Sequence, residues 1–399
     1  MNLSVGIVGL PNVGKSTLFN VLLKKQQALV ANYPFATIEP NVGVVAVADA
    51  RLAKLAEITA LELASPVVKR PLPDLLPRLG RGQVLKGKGT SLMLPPIKPA
   101  MISFVDIAGL VKGASEGAGL GNKFLSHIRE VSVIVHVVRA FVDEDVVREG
   151  SVDPRSDYET INTELLLADL ITISKIKDSS YAKASADKQK SKLLKQTAEK
   201  LFDSLNKGVP AREVVLSSEE AEVAKHFFLL SAKQEIVVLN VAEEDYTSQG
   251  IEKIIVQYTS ILDIGGEMVV VICAKIESEL AALSESEQRE YLKGLELEES
   301  GLERLIKKAY DTLGLISFLT CGEKEVKAWT IRRGFTSLMA SGEIHTDFMK
   351  KFIKAEVVSY EDFVGVGGWK KARELGKARQ EGRDYIMQDG DVVEFKIGS

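Results

Sequence analysis

The feature that most constrains this chain is an eight-residue run near its N-terminus, GLPNVGKS at residues 9–16. The run has the spacing G-x-x-x-x-G-K-[ST], follows the apolar segment Leu3 to Val8 and precedes a helical pattern from Thr17 to Lys25. Glycines at these positions let the backbone curl so that successive N–H groups point into one anion-sized concavity, and the following helix adds its partial positive charge. The run therefore predicts a phosphate-binding loop between a strand and a helix.

The residues of this loop have distinct expected roles. Lys15 is expected to contact the β- and γ-phosphates of a nucleotide, and the Ser16 hydroxyl is expected to be a Mg²⁺ ligand. The other predicted nucleotide-binding residues here are Asn12, Val13, Gly14 and Thr17.

Two further segments predict parts of the same site. Asp106-Ile107-Ala108-Gly109 closes an apolar run, so the Asp106 carboxylate can hold Mg²⁺ through water and the Gly109 N–H can reach a γ-phosphate. Five glycines lie between Gly109 and Gly121, which is typical of a segment that is ordered by its ligand. Thr37 is the candidate to complete the Mg²⁺ shell, and an ordinary loop threonine is the alternative.

Short β-branched runs predict an α/β fold with a mainly parallel sheet. The runs lie at residues 3–8, 42–47, 101–105, 133–138, 236–239 and 268–272. Between the fourth and fifth runs, two amphipathic stripes predict an antiparallel helical hairpin inserted in the sheet domain. The stripes consist of Leu166, Leu170 and Ile173, and of Leu194, Ala198, Leu201 and Leu205. After about Leu313, short strands and turns predict a small mixed sheet domain.

Proline and charge are unevenly distributed. Seven of the twelve prolines lie between Pro66 and Pro99, which predicts a long surface loop there. Residues 69–98 carry seven Lys or Arg against one acid, and residues 175–207 carry nine lysines against four acids. The whole chain has 51 basic and 55 acidic residues, which excludes a generally basic protein but not local surfaces for a polyanion. A solvated helix face is the alternative for residues 175–207.

Other features exclude several classes of protein. Two cysteines cannot make a disulfide framework, and the four histidines lack the spacing of a zinc site, so His136 in its apolar run is expected to be a satisfied core residue. No apolar run approaches the roughly 18 residues of a membrane span. We therefore expect a cytoplasmic protein with no membrane partner.

Residues 6–17, 32–41 and 104–115 resemble the YchF family of Obg-related P-loop ATPases. The resemblance continues through residues 119–122, 161–165, 325–331, 342–348 and 384–386, and so spans nearly the whole chain. It implies three domains: a P-loop G domain at 1–147 and 233–312 with the proline-rich basic insertion 66–99, a helical coiled-coil insertion at 148–232, and a C-terminal TGS domain with a β-grasp fold at 313–399.

The resemblance also implies an activity and a partner. The activity is hydrolysis of ATP with Mg²⁺, and the partner is the ribosome, either its large subunit or the 70S particle. The basic segments 69–98 and 175–207 are then candidate contacts for rRNA.

Base choice is expected to depend on the four residues after the fifth strand. GTPases of this superfamily usually carry N-K-x-D there, whereas this chain has Asn240-Val241-Ala242-Glu243. The longer Glu243 should misplace the bidentate contact with guanine, and a lost buried hydrogen bond costs roughly 1–3 kcal/mol. The residues alone predict weakened guanine selection. The resemblance further implies ATP binding, with Asn240 and the Val241 backbone near the adenine. Residues 273–275, Cys-Ala-Lys, resemble the S-A-K element that follows.

Catalysis is expected to be slow. Leu110 stands where a glutamine commonly orients the attacking water, and Arg148 stands where many family members carry a histidine. Lys15 and Gly109 are thus the predicted catalytic contacts, and no catalytic base is assigned. An Obg-type GTPase and a nucleotide-gated ribosome-binding module with incidental turnover are the alternative functions.

Overall fold

A computed structural model describes residues 3–30, 41–64, 84–87, 90–107, 119–141, 153–178 and 188–398. Its contacts divide the chain into two compact units. One unit comprises residues 1–45 and 102–313, and the other comprises residues 46–101 and 314–399. Among the described residues, no helix combines the length and the apolar character that crossing a membrane requires. Strands and helices are numbered below in chain order.

A six-stranded sheet forms the centre of the first unit. In spatial order its strands are β2 (Val42–Ala46), β6 (Met101–Asp106), β1 (Ser4–Val8), β7 (Val133–Arg139), β8 (Gln234–Asn240) and β9 (Val269–Ile272). The pairs β1–β6, β1–β7, β7–β8 and β8–β9 are all parallel. Every residue of β1 and β7 is buried, as expected for strands covered on both faces. The prediction of an α/β fold with a mainly parallel sheet is confirmed.

Helices of the first unit bury two apolar clusters against this sheet. Its helices are α1 (Lys15–Val30), α3 (Gly119–Glu130), α4 (Pro154–Asp178), α5 (Lys188–Leu205), α6 (Ser218–Lys225), α7 (Ser248–Leu262), α8 (Ala274–Leu280), α9 (Glu285–Gly294) and α10 (Gly301–Thr312). One cluster joins Phe124 of α3 and Ile161 of α4 to Val8 at the end of β1. The other joins Tyr246 and Ile276 to Val237 of β8. Both clusters fix the ends of strands that lead into loops.

The helices α4 and α5 pack against each other along the two predicted stripes. Ile173 of α4 lies in one apolar cluster with Ala198, Leu201 and Leu205 of α5, and Leu166, Leu170 and Leu194 are partly buried against it. Asp169, which is buried, accepts hydrogen bonds from the backbone N–H groups of Leu230 and Ser231, both at 2.8 Å. The amphipathic pattern thus identified the packed faces of both helices.

A second six-stranded sheet, which is mixed, forms the centre of the other unit. In spatial order its strands are β13 (Arg379–Glu381), β12 (Phe352–Val358), β14 (Val392–Ile397), β10 (Leu315–Cys321), β11 (Val326–Arg332) and β5 (Ile97–Lys98). The helices of this unit are α2 (Arg51–Leu63), α11 (Ser337–Ile344), α12 (Thr346–Lys351), α13 (Tyr360–Val366) and α14 (Trp369–Glu374). In its core Phe318 stacks on Trp329 with ring centroids 6.2 Å apart. The predicted small mixed sheet is therefore present, and its designation as a TGS domain stays a prediction.

The prediction that residues 66–99 form a surface loop is wrong for three short segments. Strand β3 (Val84–Gly87) pairs antiparallel with β4 (Thr90–Met93), and β5 pairs with β11. Prolines flank β5 without disrupting it because β5 is an edge strand, where a missing N–H leaves no ladder bond unmade. The Pro96 carbonyl instead accepts a hydrogen bond from the Val326 N–H at 2.9 Å. Residues 65–83 and 88–89 lie outside the described residues.

The described residues between positions 46 and 101 pack with the C-terminal sheet, whereas the sequence prediction placed this segment in the domain spanning 1–147. The Arg51 guanidinium donates to Asp389 at 2.8 Å. At the other end of α2, the Glu62 carboxylate accepts hydrogen bonds from the backbone N–H groups of Trp369 and Lys370 at 3.1 and 2.6 Å. These contacts join positions about 300 residues apart, which local sequence patterns do not register.

Candidate functional site

The predicted phosphate loop connects β1 to α1, and its backbone turns sharply at two positions. Asn12 has φ 63° and Gly14 has φ 94°. A Cβ at Gly14 would lie 2.2 Å from Nδ2 of Asn240, so glycine is required there by conformation and by space. At Gly9 a Cβ would lie 2.9 Å from the Val137 carbonyl oxygen. The glycines of the motif thus let the loop run close to β7 and β8.

An ion pair between Lys15 and Asp106 joins this loop to the end of β6. The Lys15 ammonium donates to Oδ1 of Asp106, and the two side chains are 11% and 23% exposed. The register of the sheet accounts for the contact, because Ile7 of β1 pairs directly with Asp106. Two residues predicted from separate motifs are therefore brought together at the carboxyl edge of the parallel strands, where ligands of such sheets bind.

Ser16 and Thr17 lie in the first turn of α1, and both are exposed. Val13, in contrast, is 1% exposed and packs into the core, so its side chain anchors the loop. The Leu18 N–H donates to the Gly14 carbonyl at 3.0 Å, which closes the first helical turn. Ser16 and Thr17 therefore lie at the end of the helix that carries its first, unpaired backbone N–H groups.

Asn240, at the end of β8, holds two loops together. Its Nδ2 donates to the Val13 carbonyl at 2.9 Å, and its Oδ1 accepts from the Ala274 N–H at 3.0 Å. The side chain is buried, so both bonds are shielded from water. The sequence prediction assigned Asn240 to the base, but its amide group links the phosphate loop to the start of α8. In the sequence, the position of Asn240 in a segment that resembles N-K-x-D was the feature that singled this residue out.

Val241 and Glu243 differ sharply in exposure. Val241 is 3% exposed, and its N–H donates to the Ile272 carbonyl at 2.9 Å. The exposed carboxylate of Glu243 forms an ion pair with the ammonium of Lys275. This contact raises the pKa of Lys275. The exposed ion pair between Glu243 and Lys275 thus joins the segment after β8 to the start of α8, and the buried Asn240 is hydrogen-bonded to the same helix start.

Cys273 precedes Ala274 and is buried. Burial raises the pKa of its thiol, so it is a protonated core group at neutral pH. Cys273 thus occupies the serine position of the predicted S-A-K-like element as a packing residue.

Four residues of the sequence predictions lie outside the described residues: Thr37, Gly109, Leu110 and Arg148. Their predicted roles stay predictions. His136, which was expected to be a satisfied core histidine, is confirmed as one, because its Nδ1 lies 2.9 Å from Oε1 of Glu235 and its side chain is 1% exposed.

Comparison with protein families gives two matches. Residues 4–171 match a family described as 50S ribosome-binding GTPase, and residues 315–398 match the C-terminal family of YchF GTPases, described as a protein of unknown function. The first match includes strands β1, β2, β6 and β7 of the first sheet, and the second match includes β10 to β14 of the second sheet.

Full-length relatives extend this likeness. A protein of Bacillus subtilis named ribosome-binding ATPase YchF is 42% identical over 399 residues and is covered completely, as is this chain. Its namesake in Haemophilus influenzae is 43% identical, with 100% of this chain and 99% of the relative covered. The solved structure of the Schizosaccharomyces pombe YchF GTPase superimposes with a TM-score of 0.81 at 34% identity, covering 99% of this chain and 98% of that one. Sequence and fold agree along the whole length, and this chain belongs to the YchF family.

Proposed function

We propose that this protein is a Mg²⁺-dependent P-loop ATPase that hydrolyses ATP to ADP and phosphate and associates with ribosomes. The observation that carries the enzymatic part is the meeting of Lys15 and Asp106 beside the phosphate loop. Relatives that match this chain over their full length are named ribosome-binding ATPases, which supports both parts of the proposal.

Lys15 and the loop amides would bind the phosphates. The Lys15 ammonium is mostly buried and has a singly charged partner in Asp106, so a triphosphate would compete for it with a larger negative charge. The N-terminus of α1 adds backbone N–H donors directed at the same place. In this proposal water attacks the γ-phosphorus in line with the leaving oxygen, and these groups neutralise the developing charge. The Gly109 N–H is proposed to assist.

The residues at this edge fit Mg²⁺. The Ser16 hydroxyl is exposed at the first turn of α1, and the Asp106 carboxylate ends β6, so the donor set is the hard oxygen set that Mg²⁺ prefers. The Ser16 hydroxyl and the Asp106 carboxylate would hold Mg²⁺, and the bound ion would supply positive charge that neutralises the charge developing on the phosphates. We propose Thr37 as a further ligand.

The segment from Asn240 to Glu243 supports ATP over GTP. A guanine-selective site needs a free carboxylate for the two guanine donors and a lysine along the base, but this chain has Val241 buried in the core and Glu243 paired with Lys275. An exposed pair is worth only about 0–1 kcal/mol, so the pair reduces guanine selection without abolishing it. The S. pombe relative is named a GTPase, and that name favours the second candidate function, an Obg-type GTPase.

A substitution separates the two base preferences. Glu243→Asp restores the acid that the N-K-x-D motif carries, so we expect it to raise kcat/KM for GTP relative to ATP by about tenfold, or about 1.4 kcal/mol. The matched control is Glu244→Asp at the neighbouring exposed acid, which should leave the ratio unchanged. A high GTP preference in the unsubstituted protein would favour the GTPase instead.

Hydrolysis is tested by phosphate release from ATP. Lys15→Ala should abolish ATP binding and turnover, whereas Lys24→Ala, an exposed lysine of the same helix, should leave both unchanged. If Lys15→Ala loses turnover but ribosome cosedimentation stays intact, the third candidate function, a nucleotide-gated binding module, gains support. Undiminished turnover in Lys15→Ala would contradict the proposed role of this loop.

Ribosome association is proposed to use the basic segments 69–98 and 175–207 as rRNA contacts. In the second segment Lys192 and Lys195 are exposed on α5. Lys192→Glu with Lys195→Glu should weaken cosedimentation with ribosomes, and most strongly at low salt, because phosphate contacts depend on salt. Lys293→Glu, an exposed lysine outside both segments, is the single-charge control. A ribosomal partner also implies the cytoplasmic location that the sequence predicts.

A further inference from the structure

A buried cluster of Glu277, Tyr246 and Gly301 lies behind the two loops that Asn240 joins. Oε1 of Glu277 accepts a hydrogen bond from the Gly301 N–H at 2.7 Å and from the Tyr246 hydroxyl at 3.0 Å. Glu277 is 2% exposed and Tyr246 is 0% exposed. A Cβ at Gly301 would lie 2.5 Å from the Tyr246 hydroxyl, so the three groups leave no room for a side chain there. The cluster is thus a closed, water-excluded contact between three segments.

Two members of the cluster are hydrogen-bonded to the loops of the proposed base site. The Glu277 N–H donates to the Cys273 carbonyl at 2.9 Å. This bond closes the first turn of α8, which begins at Ala274 and contains Lys275. The Tyr246 N–H donates to the Glu243 carbonyl at 3.1 Å. One carboxylate therefore constrains both the segment ending at Glu243 and the segment beginning at Cys273.

The N-terminus of α10 supplies the third support. Gly301 is the first residue of α10, and its N–H is one of the donors that a helix leaves unsatisfied, so Glu277 completes it from outside the helix. Arg304, one turn further on, donates to the Tyr246 hydroxyl at 3.3 Å and to the Val271 carbonyl at 2.9 Å. The helix thus fixes the tyrosine, the acid and the end of β9 with respect to one another.

From these contacts we infer that Glu277 and Tyr246 are positioning residues that align the two base-contacting loops, residues 240–243 and 273–275, for purine binding. This inference rests on the proposed nucleotide-binding function. Among the described residues, the side chains of Glu277 and Tyr246 are hydrogen-bonded to groups other than Lys15 and Asp106, which lie on the phosphate side. Disturbing the cluster should therefore alter nucleotide affinity and base preference but leave the rate of the chemical step unchanged.

The test uses Tyr246→Phe and Glu277→Gln in the full chain. Tyr246→Phe keeps the ring and removes one donor from a buried carboxylate. We expect the KM for ATP to rise about tenfold, or about 1.4 kcal/mol, with kcat within a factor of two. The ratio of ATP to GTP affinity should fall in the same variant. Glu277→Gln keeps an acceptor oxygen, so it should show a smaller rise in KM, and Glu277→Ala should show a larger one.

Tyr158→Phe is a matched control. Tyr158 is also buried, and its hydroxyl donates to another buried carboxylate, Glu235, at 3.1 Å. Its removal should reduce stability to a similar extent while KM and base preference stay unchanged. An equal KM change in Tyr158→Phe would show that general destabilisation explains the effect and would overturn the inference.

Hydrogen exchange of residues 240–247 and 273–277 gives a readout that does not depend on turnover. Faster exchange in Tyr246→Phe than in Tyr158→Phe supports the positioning role. Normal nucleotide binding by the unsubstituted protein, with KM and loop exchange unchanged in Tyr246→Phe, would overturn the positioning role alone. Failure of the unsubstituted protein to bind any purine nucleotide would overturn the proposed function and this inference with it.

Discussion

Asn240 and Gly14 should be energetically coupled, and a double-mutant cycle measures that coupling. Asn240→Ala removes the partners of the Val13 carbonyl and the Ala274 N–H, two bonds of 2.9 and 3.0 Å at a side chain that is 5% exposed. Each buried group left unpaired costs about 1–3 kcal/mol, so we expect the free energy of unfolding to fall by about 2–6 kcal/mol. Gly14→Ala places a Cβ 2.2 Å from Nδ2 of Asn240, so it should break the same two bonds and add about 1–3 kcal/mol of backbone strain.

Both substitutions destroy the same contacts, so their effects should not add. The double variant should be destabilised by about as much as Gly14→Ala alone, which makes the sum of the single effects too large by at least about 2 kcal/mol. Both tryptophans, Trp329 and Trp369, lie in the other unit, so their fluorescence does not report on this site. Peptide-resolved hydrogen exchange over β1 and β8 in increasing urea is the suitable assay. Additivity within about 0.5 kcal/mol would refute the conclusion that Asn240 holds the phosphate loop and the start of α8 together.

Two predictions concern titratable groups whose pKa is shifted by their surroundings, and a third concerns the ion pair at the phosphate loop. Although burial alone would raise it, the His136 hydrogen bond and the Arg212 charge hold the pKa of Glu235 below its usual range. A carboxylate with a depressed pKa stabilises the folded state above the unfolded-state pKa of about 4.3, and this stabilisation is lost as the pH falls through the folded-state pKa. Glu235→Gln should therefore make the urea midpoint fall less steeply below a pH of about 4.3. An unchanged slope would contradict this prediction. Burial raises the pKa of the Cys321 thiol to about 12. A thiol reagent at about pH 8 should therefore label Cys321 only slowly until urea unfolds the chain. Rapid labelling of the folded protein would contradict this prediction. Asp106→Asn should reduce ATP turnover at least tenfold with little loss of nucleotide affinity, measured by phosphate release and equilibrium binding, and full activity would remove Asp106 from the site.

Local sequence patterns predicted the parts of the fold that local physics controls. The apolar runs became the six strands of the first sheet, and in β1 and β7 every residue is buried, which favours apolar side chains on both faces. The GKS motif predicted the loop and helix that carry Lys15, and D-x-x-G predicted the strand end that carries Asp106.

Local sequence patterns did not predict the contacts between residues that are far apart in the sequence. No local signal indicated that Arg51 would contact Asp389, and the prolines around Ile97 concealed an edge strand that pairs with β11. The contacts of Glu277 were equally hidden, because an acid in an acid-rich region resembles a surface residue until α10 is placed beside it. Asn240 was singled out by motif, but its partners are set by the packing of three separate strand ends.

A comparison of ATP and GTP turnover by the unsubstituted protein tests the central claim most directly. The values of kcat/KM should be measured side by side in the presence of Mg²⁺, with Lys15→Ala as the background. We predict slow hydrolysis of ATP and a kcat/KM for ATP at least equal to that for GTP. A clear preference for GTP, or hydrolysis that persists in Lys15→Ala, would contradict the account.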